Sequence, residues 1–216
     1  NMKMCVIGAG TMGWSIAQVF SSSGNDVILC DRELSLAQAG RDRLEASLNH
    51  EVSRGRMEEG EANKILSRVT PGIYADTRDC VFAIEAIYEN ISAKKELFAK
   101  LDDIMPDHAV FASNTSSLSI TEMSSALKNP SRLVGMHFFN PPTVMALVEV
   151  IGGVNTSKEN IRKVMQIARE LGKTPIEVQE GPGFVVNRIL IPLINEAVCV
   201  LAEGTASAED IDTAMK

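Results

Sequence analysis

A short apolar strand running straight into Gly8-Ala9-Gly10-Thr11-Met12-Gly13 restricts this chain more than any other stretch. Met4-Cys5-Val6-Ile7 suits a strand buried on both faces, and an amphipathic helix starts inside the glycine run. Gly8 permits a tight turn, Gly10 lets backbone approach a pyrophosphate, and Gly13 lets helix and strand pack closely. The free N–H groups and positive dipole end of the helix then face phosphate. A second strand, Asp26 to Cys30, ends in Asp31, which completes the context a dinucleotide-binding turn requires. Asp31 can accept hydrogen bonds from the adenosine ribose and would repel a 2′-phosphate, so the reading is NAD rather than NADP. Arg32 next door is the one feature that pulls the other way.

The 216 residues suffice for one full domain and part of another. A net charge of −7 disfavours a nucleic-acid partner and means that an anionic substrate needs a local basic patch. Cys5, Cys30, Cys80 and Cys199 are scattered without a C-x-x-C, which reads as buried thiols in a reducing, cytoplasmic compartment. Three histidines leave little material for a metal site, and none is expected. No uncharged run reaches membrane-spanning length, and no signal peptide precedes the first strand. Asn1, ahead of Met2, reads as a tag remnant.

The first helix carries Met12, Ile16, Val19 and Phe20 on one face and stops at Ser23-Gly24-Asn25. A long helical pattern then runs from about Leu34 to Arg56, with a shorter one from Gly60 to Ser67. Together they read as a helical hairpin inserted at about 34–67. Its other face holds Arg41, Arg43, Arg54 and Arg56, read as a solvated basic face or a phosphate-binding patch. The next strand is expected over Cys80 to Ala86 and a helix over Ser92 to Ile104. Glu85, Glu89 and Lys94 fall near the carboxyl end of that strand, where open α/β sheets bind ligands. Ala109 to Ser113 leads into Asn114-Thr115-Ser116-Ser117, and Ser119 with Glu122 has the spacing of a capping box.

His137 lies in the apolar run Leu133 to Phe139. After Asn140-Pro141-Pro142-Thr143, Glu149 interrupts a second apolar run, Ala146 to Ile151. A buried carboxylate is costly without a partner, and the turn between the runs can put both residues on neighbouring strands. A carboxylate on Nδ1–H fixes the imidazole tautomer and leaves Nε2 as a general base. Ser116 and Asn187 can hydrogen-bond a substrate oxygen, and all four would converge near the nicotinamide end of a bound NAD. That set suits hydride transfer from a secondary alcohol. A helix over Ser157 to Leu171 and a last strand, Thr174 to Val178, lead to the linker Glu180-Gly181-Pro182-Gly183. Phe184 to Glu203 is helical and apolar nearly all round, so something must cover it.

These motifs carry a resemblance. Gly8 to Gly13, Asn114-Thr115-Ser116-Ser117-Leu118, His137-Phe138-Phe139-Asn140-Pro141 and Gly181 to Arg188 stand in the order seen in the 3-hydroxyacyl-CoA dehydrogenase family, which the chain resembles. Its short bacterial 3-hydroxybutyryl-CoA members are the most similar. The resemblance implies His137 as catalytic base, Glu149 as its partner, and Ser116 and Asn187 as substrate-orienting groups. It assigns NAD contacts to the motif residues Gly8, Ala9, Gly10, Thr11, Met12, Gly13 and Asn114, and to Asp31, Glu89, Lys94, Ser116 and Asn140. It puts the acyl-CoA near the hairpin, with Ser47, Arg54 and Lys94 as substrate contacts. Ser47 and Arg54 are two helical turns apart and hence share a face. The implied fold is α/β: a Rossmann-type doubly wound, mostly parallel sheet with the inserted hairpin, followed by the start of an all-α C-terminal domain. Residues 1–180 would be the NAD-binding domain. Residues 184–216 would begin a helical dimerisation and substrate domain, incomplete at Lys216 and forming a homodimer where complete.

Other readings of the same residues are a non-catalytic NAD-binding protein and a Ser–His–Glu hydrolase using Ser116, His137 and Glu149. The hydrolase lacks the G-x-S-x-G elbow.

Overall fold

A computed structural model describes residues 2–216; Asn1, and with it the tag reading, lies outside the described residues. The first strand, β1 (Lys3–Ile7), splits its side chains between two cores, with Met4 and Val6 in one and Cys5 and Ile7 in the other. A strand covered on both faces must be apolar throughout, which is why its alternation is invisible in sequence. Helix α1 (Thr11–Ser22) follows, closed by Gly24 at φ +87°, and β2 (Asp26–Cys30) returns beside β1. The hairpin is α2 (Leu34–Ser53) and α3 (Glu59–Ser67). Helix α2 stops short of Arg56 because Gly55 takes a left-handed φ of +66° just after its C-cap, Arg54.

Strand β3 (Val69–Gly72) was not foreseen. It is four residues long, has no apolar alternation and contains Pro71, which lacks an N–H. It can exist only at a sheet edge, where it pairs with β2 alone. A 3-10 turn (Tyr74–Asp79) ends just before the run expected as strand, with Cys80 as its C-cap, and β4 spans Phe82–Glu85 within that run. The chain continues through α4 (Ile91–Ile104), β5 (Val110–Ser113), α5 (Ile120–Ser124), β6 (Leu133–Phe138) and β7 (Leu147–Gly152). It ends with α6 (Lys158–Glu170), β8 (Thr174–Gln179), α7 (Val186–Ala202) and α8 (Ala208–Ala214).

The eight strands run in the order β3-β2-β1-β4-β5-β6-β7-β8, parallel except where β6 meets β7. Helices α1, α2, α3 and α6 cover one face through residues such as Phe20, Leu44, Ile65 and Val164. Helices α4 and α5 cover the other through Leu97, Phe98, Ile120 and Met123. This is a doubly wound Rossmann-type sheet, with a helical region after it. No residue of α7 or α8 is buried, so the apolar stretch lies open on the chain. Among the described residues no helix is long and apolar enough to cross a membrane.

Candidate active site

The glycine turn works as its spacing implies. Gly8 has φ +100°, and a Cβ there would lie 2.7 Å from Ala86 O. A Cβ on Gly13 would overlap the Gly8 carbonyl, whereas one on Gly10 would meet nothing within 4 Å. Gly10, the N-cap of α1, therefore faces open space where a ligand can approach the backbone. Asp31 holds the turn from the end of β2. Its Oδ2 accepts the Ala9 N–H at 2.9 Å and its Oδ1 the Arg32 N–H at 2.8 Å. Gly40 of α2 was not foreseen as part of this turn; a Cβ there would sit 2.7 Å from the Ala9 side chain. Gly8, Gly10, Asp31 and Arg32 line a cavity of about 320 Å³. The Arg32 side chain is exposed and points its charge toward Glu33, 3.8 Å away. A bare backbone patch at a helix N-terminus beside one carboxylate fits the pyrophosphate and ribose of a dinucleotide.

A second cavity, about 340 Å³, shares Ala86 and Ile87 with the first and opens over the carboxyl ends of β4, β5 and β6. Met12, Ser116, His137, Phe139, Asn140 and Asn187 are among its walls. The antiparallel register sets His137 directly opposite Glu149, and Nδ1 lies 2.8 Å from Oε2. Glu149 is fully buried, yet neither oxygen is stranded. Its Oε1 accepts the N–H groups of Val185 at 3.0 Å and Val186 at 2.9 Å, at the start of α7. The sequence offered no sign of this second attachment. The imidazole sits between the rings of Phe139 and Phe184, at centroid distances of 4.6 and 5.8 Å. Phe184 is itself held at φ +53°, beside Gly183 at +71°, so the linker turns sharply to bring Asn187 to the cavity.

Below this cavity lies a layer of buried charge. Lys94 is 1% exposed, and its Nζ lies 2.8 Å from Glu85 and 2.9 Å from Glu89. Burial pushes the Glu85 carboxyl up, although Lys94, Ser113 and the Ile87 N–H all favour its charged form. Partial burial pushes Glu89 the same way. There the hydrogen bonds from Thr115, Lys94 and the Ser116 N–H outweigh it and hold the group below the usual glutamate range. Glu89 thus fastens the loop carrying Ser116 to the end of β4. Asn114 braces the same loop, its Oδ1 accepting the Phe138 N–H at 2.8 Å. Lys94, Glu89 and Asn114 line the cavity, but the contacts they make are with the protein itself.

The two hairpin residues assigned to the acyl-CoA lie on α2 and at its C-cap. Ser47 lines a cavity of about 410 Å³ between α1, α2 and the loop after Asn140. Arg54 is exposed beyond the end of α2, and Arg56 lines that cavity instead. Arg54 is the C-cap of α2 and still donates its N–H to His50 O at 3.2 Å, so it stays in the helical turn that follows from Ser47, and Gly55 ends the helix only after it. Lys173 braces the adjacent loop, donating to Pro142 O at 2.6 Å and Met145 O at 2.9 Å.

The capping box is half present. Ser119 Oγ accepts the Glu122 N–H at 3.0 Å, but among the described residues the Glu122 carboxylate makes no return bond to the Ser119 N–H, and the Ser119 hydroxyl donates instead to Glu180, the first residue of the linker. Glu180 accepts the Ser119 hydroxyl at 2.8 Å, the Thr121 N–H at 3.0 Å and the Thr121 hydroxyl. Partial burial raises its pKa, yet these bonds together hold it below the ordinary value. A carboxylate so depressed stabilises the fold above its unfolded pKa and stops doing so as pH falls through the folded one. Glu180→Ala is therefore expected to cost about 1–2 kcal/mol at neutral pH. The deficit should shrink below about pH 4. Urea midpoints measured across that range check both the size and the direction.

Family comparisons agree with this geometry. Residues 3–181 match the model of the 3-hydroxyacyl-CoA dehydrogenase NAD binding domain, and residues 183–216 match the C-terminal domain model of the same family. A 3-hydroxybutyryl-CoA dehydrogenase of Clostridioides difficile is 46% identical over the whole chain and 77% of its own length. The human mitochondrial hydroxyacyl-coenzyme A dehydrogenase is 39% identical over 98% of the chain and 69% of its own length. The crystal structure of an (S)-3-hydroxybutyryl-CoA dehydrogenase from Ralstonia eutropha superposes with a TM-score of 0.93 at 40% identity, over 97% of this chain and 75% of that one. With a glycine turn of dinucleotide-binding spacing, a His–Glu pair in the wall of the adjoining cavity and both family models matched in order, the chain belongs to the NAD-dependent 3-hydroxyacyl-CoA dehydrogenase family.

Proposed function

We propose that the substrate is a short (S)-3-hydroxyacyl-CoA, 3-hydroxybutyryl-CoA above all, interconverted with its 3-oxo form, and that His137 is the general acid/base. One observation carries this reading: a histidine fixed through Nδ1 by a buried carboxylate, in the wall of a cavity that adjoins the glycine turn. Bound NAD supplies the acceptor for the hydride leaving C3. His137 Nε2 takes the C3 hydroxyl proton in that direction and returns it in the other. Glu149 stabilises the imidazolium through Nδ1–H. Ser116 and Asn187 orient the substrate oxygens by neutral hydrogen bonds, and Phe139 and Phe184 limit water beside the base. The cavity lined by Ser47 and Arg56 is the proposed place for the phosphate end of the coenzyme A, with Arg54 at its margin.

The 1–180 unit is proposed as the NAD-binding domain and 184–216 as the beginning of the helical dimerisation and substrate domain. Ile191, Ile194 and Val198, each more than half exposed and on one side of α7, are the proposed homodimer face. Free buried thiols at Cys5, Cys30 and Cys80 support a cytoplasmic setting.

The hydrolase reading has no support in the geometry, since among the described residues no hydrogen bond joins Ser116 Oγ to His137. NADH is expected to be consumed when acetoacetyl-CoA is added, faster than with longer 3-oxoacyl-CoA thioesters. NADPH should serve poorly. Absence of turnover with either nucleotide would remove the enzyme reading, and a preference for long chains would remove the short-chain one.

A further inference from the structure

The chain contains two tyrosines, and both line the cavity at Gly8 and Asp31. Two aromatic rings of the same kind at one cavity call for a reason. Tyr88 follows β4 and Tyr74 follows β3, while β1 and β2 lie between those strands in the sheet. The rings therefore approach from either side of the strand ends that carry Gly8 and Asp31. Tyr88 is 71% exposed, although its backbone neighbours are held. The Ile87 N–H donates to Glu85 Oε1 at 2.7 Å, and Glu89 is paired with Lys94. The ring is thus a free apolar plate on a fixed stem. Tyr74 is equally anchored, its carbonyl accepting the Thr77 hydroxyl at 2.7 Å. Leu36, 39% exposed at the first turn of α2, adds an aliphatic surface to the same cavity.

Burial raises the Tyr74 hydroxyl above the ordinary tyrosine value, with the Asp31 charge adding to it, so the phenol stays neutral. A slot with two aryl walls, one alkyl wall, a carboxylate at one end and Arg32 on its lining suits a flat heteroaromatic base joined to a diol. A lone exposed tyrosine could equally be an ordinary surface residue. Its pairing with Tyr74 across the same two strand ends argues for the slot.

We infer that Tyr88 and Tyr74 form an adenine clamp, in which the exposed Tyr88 ring closes over the base and sets the affinity for the adenosine half of NAD. The inference rests on the reading of this cavity as the adenosine end of the cofactor site. Stacking of a base on an aromatic ring accounts for the whole expected effect.

The test uses the full chain and two probes. ADP-ribose reports the adenosine half by titration calorimetry, and reduced nicotinamide mononucleotide lacks that half. Tyr88→Ala is expected to weaken ADP-ribose by about tenfold and Tyr88→Phe by less than about twofold. With reduced nicotinamide mononucleotide and acetoacetyl-CoA, the wild type and Tyr88→Ala should turn over with equal kcat/KM. Unchanged ADP-ribose affinity in Tyr88→Ala would overturn the clamp alone, as would an equal loss with the mononucleotide. Failure of the wild type to bind ADP-ribose would overturn the adenosine reading and the clamp with it.

Discussion

His137→Gln is expected to lower kcat for acetoacetyl-CoA reduction by about 10²–10⁴-fold, the usual contribution of a positioned acid or base. NADH affinity should stay near that of the wild type. The glutamine isolates the proton transfer well. It is of similar length, it is uncharged, and its amide can still donate to Glu149 Oε2, so the buried carboxylate keeps a partner. What it loses is the second ring nitrogen, the atom proposed to carry the proton to and from the C3 oxygen. The measurement is steady-state NADH consumption at saturating acetoacetyl-CoA, with a thermal melt to show that the fold is intact. Retention of the full rate would mean that the proton moves through some other group, and the assignment of His137 would be withdrawn.

That expectation depends on Nε2 being the free nitrogen, which follows from the surroundings of the ring. Nδ1 is committed to Glu149, and the ring is held between Phe139 and Phe184. An imidazole with one nitrogen occupied and two tilted aromatic rings packed against it has little freedom to present anything but its remaining nitrogen. The aromatic faces also limit the water that would compete with substrate for that edge. Ser116 and Asn187 contribute from separate elements, one from the loop after β5 and the other from the first turn of α7. The cavity is therefore assembled from both sides of the linker. Its integrity depends on the bend at Gly183 and Phe184.

How much of this was legible in the sequence depended on how local the signal was. The glycine turn and its two strands could be read because each glycine has its own steric reason within a few residues. The His137–Glu149 pair could be read because two apolar runs separated by a turn have few ways to lie, and a carboxylate inside one of them needs a partner. Strand β3 could not, because edge pairing tolerates a sequence with a proline and no alternation. The Ser119 capping box was half right. The local spacing was present, but Glu180, 61 positions from Ser119, reaches the same hydroxyl, and nothing short-range announces that. The helix pattern runs on to Arg56 because its periodicity does not show that Gly55 turns left-handed and ends α2 at its C-cap, Arg54. The exposed apolar helix α7 was read for what it is because its pattern asks for a cover that the rest of the chain does not supply.

Glu149→Gln and Glu149→Ala should separate the two duties of that carboxylate. In Glu149→Gln the side-chain carbonyl can go on accepting the Val185 and Val186 N–H groups, so α7 stays docked. The amide nitrogen then faces His137 Nδ1 and can only donate. Nδ1 must become the acceptor, the ring proton moves to Nε2, and the base is blocked. A loss of about 10³–10⁴ in kcat is expected from a wrong tautomer of this kind, with little change in melting temperature. Glu149→Ala should be as inactive and also less stable, by about 2–4 kcal/mol, because two backbone donors lose their acceptor and a buried gap opens. Paired NADH assays and urea unfolding curves distinguish the duties. Equal destabilisation of the two variants would show that the charge, rather than the acceptor oxygen, holds α7. Wild-type rates in Glu149→Gln would show that the tautomer of His137 is set elsewhere. Only the split, with rate lost in both and stability lost in one, fits a single carboxylate that orients the imidazole with one oxygen and fastens the start of α7 with the other.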